Sequence, residues 1–135
     1  MNGRFQIAVH IMTLLYAAGN DLLSSDYIAG SVNINPVLIR KELSSLIKQG
    51  LVSSKEGKSG GYYLAKPAVQ VSLADIFNAV KTNPVLGKAR NTPNPKCDIG
   101  REIGGQLSRI DKEIEQLIND KLSKQSLIEF YKQFN

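Results

Sequence analysis

The sequence predicts a mainly α-helical fold that carries a small β-wing and ends in a long helical segment. Three observations lead to this prediction. Apolar residues recur at three- and four-residue spacings through residues 4–50. A glycine-rich turn separates two short β-prone runs between residues 51 and 65, and a heptad-like seam of apolar residues follows residue 99. We therefore expect three helices, a two-stranded hairpin, a further short helix and a long C-terminal helix.

The first two helices are predicted from their apolar faces and their ends. The first runs from about Arg4 to Ala18, and Gly19-Asn20 stops it because both residue types accept the left-handed conformation that ends helices. The second is short, and we expect Ser25 to cap its N-terminus.

The third helix, residues 35–49, begins with a strong local signal. Asn35 is a good N-cap, and Pro36 occupies the first helical position, where its missing N–H costs nothing. Gly50 ends the helix. The predicted inner stripe consists of Leu38, Ile39, Leu43, Leu46 and Ile47.

A hairpin follows this helix. Residues 51–54 and 62–65 read as strands, and the turn between them is rich in glycine. A helix-turn-helix followed by a two-stranded hairpin is the winged-helix layout. Ser72 is expected to cap one more short helix.

The C-terminal part is predicted to make a dimer. Residues 82–98 lack periodicity and read as a loop or linker between a winged helix-turn-helix domain (residues 1–81) and a helical unit (residues 99–135). A seam on one side of the long helix suits packing against a second copy, which a two-fold dimer supplies. The alternative is that the helix folds back on its own domain. A last helix is expected over residues 124–134. The predicted dimer interface consists of Ile103, Leu107, Ile110, Ile114 and Leu117.

Composition limits the function. The chain of 135 residues has 17 Lys and Arg against 12 Asp and Glu, and a net charge of +5 favours an anionic partner without proving one. One cysteine, Cys97, and one histidine, His10, exclude an internal disulfide and a zinc site built from several Cys and His ligands. We expect no catalytic residue, metal or cofactor, no signal peptide or membrane span, and a cytoplasmic location.

The third helix is the candidate DNA reader. In a helix-turn-helix the second helix of the pair enters the major groove, and its N-terminal residues face the base edges. Here those residues are Asn35, Val37, Arg40 and Lys41. Arginine can make two hydrogen bonds to guanine, asparagine two to adenine, and valine can contact a thymine methyl. The alternative for each residue is a cap, a packing contact or a solvated charge.

The hairpin tip is the second candidate. Lys55 and Lys58 flank a loop whose glycines allow close approach of the backbone, which suits contact with phosphates and the minor groove. A nucleotide phosphate loop is the poorer alternative, because the Walker spacing is absent and the glycines lead into a strand.

These segments resemble the Rrf2 family of winged-helix transcriptional regulators. The likeness is carried by residues 35–41 (NPVLIRK), 50–52 (GLV), 60–65 (GGYYLA), 71–76 (VSLADI) and 93–100 (PNPKCDIG), and the last of these is most similar to the YwnA-like branch. It covers nearly the whole chain.

The resemblance implies a homodimer that binds a roughly palindromic operator and usually represses. It places helix 35–49 in the major groove, the wing of residues 54–62 at the minor groove and the long helix in the dimer interface. Carried over by position, the DNA-facing residues are Asn35, Pro36, Val37, Arg40, Lys41, Lys55, Lys58, Ser59 and Gly60.

Two departures from the family pattern matter. Family members often have an arginine before the first glycine of the wing, but this chain has Glu56, which puts minor-groove reading by that side chain in doubt. Cluster-binding members use three cysteines, and this chain has only Cys97, so we predict no iron–sulfur cluster.

Two questions stay open from the sequence. Cys97 lies beside Lys96 at the start of a helix, where thiolate is favoured, so it is either a redox sensor or an ordinary small residue. The whole domain is either a DNA-binding regulator or a winged-helix module that binds another protein.

Overall fold

The computed structural model describes residues 3–134. Three helices come first, a two-stranded antiparallel sheet follows, and three further helices and one short 3-10 helix complete the described part of the chain. In chain order the elements are α1 (Arg4–Ala17), α2 (Ser25–Val32), α3 (Pro36–Lys48), β1 (Val52–Lys55), β2 (Gly61–Leu64), the 3-10 helix (Ala68–Gln70), α4 (Leu73–Val80), α5 (Asp98–Ser123) and α6 (Leu127–Tyr131). The predicted mainly α-helical fold with a small β-wing is confirmed.

The first two helices end and begin at local signals. Gly19 follows α1 with a φ of 63°, the left-handed conformation expected there. The N-cap of α2 is Ser24, whose Oγ accepts a hydrogen bond from the backbone N–H of Tyr27 at 3.0 Å. The expectation that Ser25 caps this helix was wrong by one residue, since Ser25 is already its first helical residue.

The start of α3 is confirmed in detail. Asn35 is the N-cap, and its side-chain Oδ1 accepts a hydrogen bond from the backbone N–H of Val37 at 2.8 Å. Pro36 occupies the first helical position, where the fixed φ of proline suits the helix. The position at which α3 begins is therefore fixed by a cap that its own sequence supplies.

The buried side of α3 is narrower than the predicted stripe. Leu38 and Ile47, which we expected to face inward, are 51% and 38% exposed. The prediction was wrong for these two residues because the inward arc includes a charged residue that an apolar pattern does not reveal. The buried residues of α3 are Ile39, Glu42, Leu43 and Leu46.

The hairpin has a tight turn that requires glycine, and its strand β2 is hydrogen-bonded to the rest of the domain. β1 pairs with β2 in antiparallel register, with Lys55 opposite Gly61. A Cβ on Gly60 would lie 2.0 Å from the carbonyl oxygen of Lys55, so only glycine fits at this point of the turn. Leu23 and Tyr62 form a further antiparallel bridge, which ties the hairpin to the connection between α1 and α2. The wing is thus held to the helical core on the side of β2.

The loop between α4 and α5 is tied to α5. The buried carboxylate of Asp111 accepts a hydrogen bond from the backbone N–H of Leu86 at 2.7 Å. α4 itself opens with a capping box in which Ser72 and Asp75 exchange hydrogen bonds with each other's backbone. The predicted cap of α4 is therefore confirmed. The loop that follows α4 is held to α5 by the hydrogen bond at Leu86.

The chain returns to the core at α6. Leu127 is fully buried, and its backbone N–H donates to the carbonyl of Val71 at 2.9 Å. Leu73 in turn donates its N–H to the carbonyl of Gln125 at 2.9 Å. The predicted last helix over residues 124–134 was too long, because Ser126 caps α6 and only five residues are helical.

Candidate nucleic-acid interface

The outer face of α3 presents the side chains that the sequence predicted. Val37, Arg40, Lys41 and Ser44 are all exposed and recur at the spacing of one helix face. Arg40 donates a hydrogen bond from its guanidinium to Ser25 Oγ at 3.3 Å, which orients the arginine across the start of α2. An apolar contact point and two cations therefore share one accessible surface.

The inner face of α3 carries its only carboxylate. Glu42 is buried, and both of its oxygens lie 3.0 Å from Nε of Arg4 in α1. A guanidinium N–H of Arg4 also donates to Ser45 Oγ at 3.3 Å. Because this carboxylate is turned inward and neutralised, the outward charges of α3 are all positive: Arg40, Lys41 and Lys48.

Two predicted α3 residues contribute differently from what the sequence suggested. Asn35 is exposed, but its Oδ1 already accepts the capping hydrogen bond, so the side chain is partly committed to the helix start. Pro36 is half-buried. The sequence also did not indicate that the apolar side chains of Tyr27 and Leu38 lie on the surface, where they are 60% and 51% exposed. An exposed apolar residue of a helix can be identified only when the buried face of that helix is known.

The wing tip carries two exposed lysines around a tight turn. Lys55, Lys58 and Ser59 are exposed, whereas Gly60 is half-buried by the turn's own backbone. Glu56 is also exposed at the tip, in the position where the sequence raised doubt about minor-groove reading. The net charge of the tip is therefore positive, but Glu56 offsets one of the two lysines.

The predicted dimer seam lies open along α5. Ile103, Leu107, Ile110 and Leu117 are between 41% and 68% exposed, and Ile114 is half-buried. Another side of α5 packs on α4, where the Asn78 amide donates to Asn119 Oδ1 at 2.7 Å. The long helix thus rests on its own domain and still leaves an apolar stripe in water.

The environment of Cys97 does not provide a metal site. Its thiol is exposed at the N-cap of α5 and accepts a hydrogen bond from the backbone N–H of Gly100 at 3.4 Å. His10 lies elsewhere and shares a hydrogen bond with Ser31 Oγ at 2.9 Å. Within residues 3–134, no three His, Cys, Asp or Glu side chains come together as a metal-binding group. An iron–sulfur cluster needs several thiolates, and this donor set does not fit one.

Comparison with known proteins gives one consistent answer. Residues 1–133 match the model of the Rrf2 family, described as iron-dependent transcriptional regulators. YwnA of Bacillus subtilis, named as a helix-turn-helix transcriptional regulator, is 32% identical over 127 residues, which cover 94% of this chain and 93% of that protein. IscR of Cereibacter sphaeroides is 30% identical over 80 residues, covering 58% of this chain and 52% of that protein. The resemblance predicted from the sequence motifs is confirmed.

Solved structures agree on the fold. A crystal structure reported as that of a DNA-binding protein has 29% identity and a TM-score of 0.72, and the match covers 94% of this chain and 97% of that chain. IscR of T. potens has 19% identity and a TM-score of 0.72 over 98% of this chain and 86% of its own, and supports the fold alone. In the part of the chain that the structure describes, no helix has the length and apolar character needed to cross a membrane.

Proposed function

The chain belongs to the Rrf2 family of transcriptional regulators, and we propose that it acts as a homodimer on a roughly palindromic DNA operator. In this proposal α3 enters the major groove of each half-site and the wing reaches the minor groove beside it. Binding over a promoter would make the protein a cytoplasmic repressor. No catalytic residue enters the proposal.

The observation that carries this proposal is the one-sided charge of α3. Arg40, Lys41 and Lys48 point to solvent, while Glu42 is buried against Arg4. A carboxylate on the outer face of α3 would repel phosphates, and this face has none, because Glu42, the one carboxylate of the helix, is buried. The face is therefore suited to lie along a polyanion.

Within that face the residues take different roles. Arg40 can make paired hydrogen bonds to guanine, and Val37, which is 61% exposed, can contact a thymine methyl group. Asn35 keeps the helix start in place through its cap and has its amide N–H groups left for a base or a phosphate. Lys41 adds charge near the backbone of the duplex.

The wing would contribute phosphate contacts more than base reading. Lys55 and Lys58 lie on either side of a turn that Gly60 closes, so both ammonium groups can reach one strand. Glu56 lies between them and would be repelled from the narrow minor groove. We therefore assign the wing an orienting role through the two lysines.

Dimerisation is proposed through the stripe of α5. A row of apolar side chains at four- and three-residue steps is costly to leave in water, and packing it against the same row of a second copy removes it from solvent. A two-fold pair of this kind presents two copies of α3, which a palindromic site with half-sites about 34 Å apart would accept.

The test is the salt dependence of DNA binding. Bound sites would first be recovered by genome-wide footprinting, and affinity for one site and for random duplex would be measured by fluorescence anisotropy. The logarithm of affinity should fall with the logarithm of salt at a slope near −0.9 per neutralised phosphate. A flat response, or no preference over random duplex, would instead favour a module that binds another protein.

Substitutions distinguish sequence-specific contacts to bases from non-specific electrostatic attraction to phosphates. Arg40→Ala should cost about 1–3 kcal/mol on the preferred site and relax sequence choice there. Lys112→Ala, an exposed cation on α5, is the matched control and should change neither affinity nor specificity. Uniform weakening by Arg40→Ala on all duplexes would reduce its role to a phosphate contact.

The dimer is tested separately. Leu107→Glu places a charge in the middle of the stripe and should convert the dimer into a monomer in analytical ultracentrifugation, with loss of operator affinity. Lys112→Glu reverses a charge on the same helix outside the stripe and should leave the dimer intact. A monomeric wild-type protein would contradict the proposal directly.

Redox sensing by Cys97 is favoured by one observation, its exposure to solvent. An exposed thiol is open to oxidants, whereas a buried small residue would be protected. Peroxide or hypochlorite treatment should lower operator binding of the wild type and spare Cys97→Ser. Equal responses of the two proteins would leave Cys97 with only its capping hydrogen bond.

A further inference from the structure

A cationic cleft lies between the start of α1, the end of α4 and the loop that follows α4. Its cavity has a volume of about 460 Å³ and is open to solvent. Four of its lining residues are basic and two are aromatic: Arg4, Lys81, Lys88, Arg90, Phe5 and Phe77. A cleft of this size suits a small molecule more than a macromolecular partner.

The apolar wall of the cleft is preformed. The rings of Phe5 and Phe77 meet edge to face, with their centroids 5.8 Å apart and their planes at 74°. Phe77 is 2% exposed, so the half-buried ring of Phe5 provides the accessible part of this wall, and Phe77 supports it from the core. An occupant with a flat apolar group would find a fixed surface to pack against.

The four cations differ in how firmly they are engaged. Arg4 is held by Glu42, a carboxylate that is almost fully buried. Lys81 is paired with Glu115 of α5, and both of these side chains are partly exposed. Lys88 and Arg90 are exposed, and neither has a carboxylate within salt-bridge distance among the described residues. The cleft therefore has more positive charge than the protein itself neutralises.

We propose that this cleft binds a small organic carboxylate with a flat apolar group, held by Lys88, Arg90 and Lys81. The carboxylate end meets the loop cations, and the apolar end lies on the ring of Phe5, which Phe77 supports from the core. Preformed apolar surface together with a few convergent charged groups is the usual make-up of a small-molecule site. Nothing in the proposed DNA contacts uses this cleft.

The two existing ion pairs respond differently to such a ligand. Taking Arg4 from Glu42 would leave a buried carboxylate uncompensated, which costs more than a small anion in an open cleft can return. Glu115 is 25% exposed, against 6% for Glu42, so its carboxylate can return to water when the pair opens, and breaking this pair costs less than breaking the buried one. The ligand therefore exchanges with Glu115 for Lys81, and Arg4 remains a fixed part of the wall.

This exchange connects the cleft to α5. Lys81, the residue that follows α4, pairs with Glu115 of α5, and Asn78 of α4 donates a hydrogen bond to Asn119 of α5. An occupied cleft removes the first of these and changes how α5 rests on the domain. If α5 pairs two copies on DNA, the ligand regulates binding by this route, a consequence that rests on the proposed function.

The experiment uses phenylacetate as the probe and its neutral amide, phenylacetamide, as the matched control. Backbone amide resonances of the full chain are followed by NMR as each compound is added. Phenylacetate should shift the amides of Val85, Gly87 and Lys88 with a dissociation constant of about 1–10 mM, a fair value for so small a molecule. Phenylacetamide should shift them much less.

Two pairs of variants test the geometry. Glu115→Gln removes the competitor for Lys81 and should tighten phenylacetate binding about two- to fivefold, which is the contribution expected of a partly exposed pair. Glu113→Gln, an exposed carboxylate of the same helix, should change nothing. The double variant Lys88→Gln/Arg90→Gln should weaken the probe, and Arg109→Gln/Lys112→Gln should not.

The outcomes are separable from those of the DNA experiments. Equal shifts with the acid and the amide, or equal effects of Glu115→Gln and Glu113→Gln, would overturn the site whatever the protein does on DNA. If the site stands, saturating phenylacetate should change operator affinity in the wild type, and Lys88→Gln/Arg90→Gln should not respond. If the probe binds but operator affinity does not change, the proposed regulation is wrong, although the binding site itself remains supported.

Discussion

Replacing Arg4 by methionine removes the charge that holds α1 to α3. Nε of Arg4 lies 3.0 Å from each carboxylate oxygen of Glu42, and a terminal guanidinium nitrogen lies 2.9 Å from Oε1. The same guanidinium donates to Ser45. Methionine keeps much of the aliphatic length of the side chain, so the change removes mainly the charge and the hydrogen bonds of the guanidinium.

The size of the effect follows from burial. The side chain of Glu42 is 6% exposed and that of Arg4 is 23% exposed, so removal of the arginine leaves a carboxylate unpaired in the interior. Breaking a buried pair from one side costs about 3–5 kcal/mol. Since domains are stable by about 5–15 kcal/mol in total, Arg4→Met should remove a large part of that stability.

Urea unfolding followed by circular dichroism measures the loss as a lower midpoint at unchanged slope. Arg101→Met is the matched control, because Arg101 pairs with Asp98 at 3.1 Å while the two side chains are 53% and 91% exposed. This control should stay within about 0.5 kcal/mol of the wild type.

A double variant completes the test. In Arg4→Met/Glu42→Leu both charges are gone, and an apolar pair of similar size should recover most of the stability that the single variant loses. If Arg4→Met costs no more than Arg101→Met, or if the double variant is no better than the single one, then Glu42 is not the buried partner that orients α3.

Three further predictions follow from local geometry. Gly60→Ala forces a Cβ against the carbonyl of Lys55 and should displace the wing, so operator affinity measured by anisotropy falls about tenfold, whereas Gly105→Ala, where a Cβ meets nothing within 4 Å, leaves it unchanged. Asn35→Ala removes the N-cap of α3 and should lower the free energy of unfolding by about 1 kcal/mol in urea, while Asn35→Asp restores the cap; equal losses would rule out the capping role. Asp111→Ala releases Leu86 and should speed limited proteolysis within residues 82–97; an unchanged cleavage rate would show that the loop is held otherwise.

Local signals were readable from the sequence because they depend on neighbouring residues. The Asn35-Pro36 pair predicts the start of α3 with no knowledge of the rest of the chain, and Ser72 predicts α4 in the same way. The winged-helix layout follows from the order of such segments. These are the parts of the fold that the structure confirms most closely.

Long-range pairings were not readable. The burial of Glu42 depends on Arg4, 38 positions earlier, and a periodic pattern assigns charged residues to the outside by default. Leu38 and Ile47 were consequently placed on the wrong face. The cationic cleft was missed for a related reason: residues 82–97 have no periodicity, and the hydrogen bond that ties this loop to α5 joins Leu86 to Asp111, 25 positions later.

The return of the chain at α6 has a consequence for synthesis. The backbone hydrogen bonds at Val71 and Leu73 are completed by Gln125 and Leu127, so the half that carries α3 shares its interior with residues made much later. A nascent chain that has just released the wing from the ribosome still lacks the side chain that fills this interior. We expect the outer face of α3 to become firmly positioned only after residue 127 has emerged, and a messenger interrupted before that point to yield a polypeptide that chaperones or proteases take up.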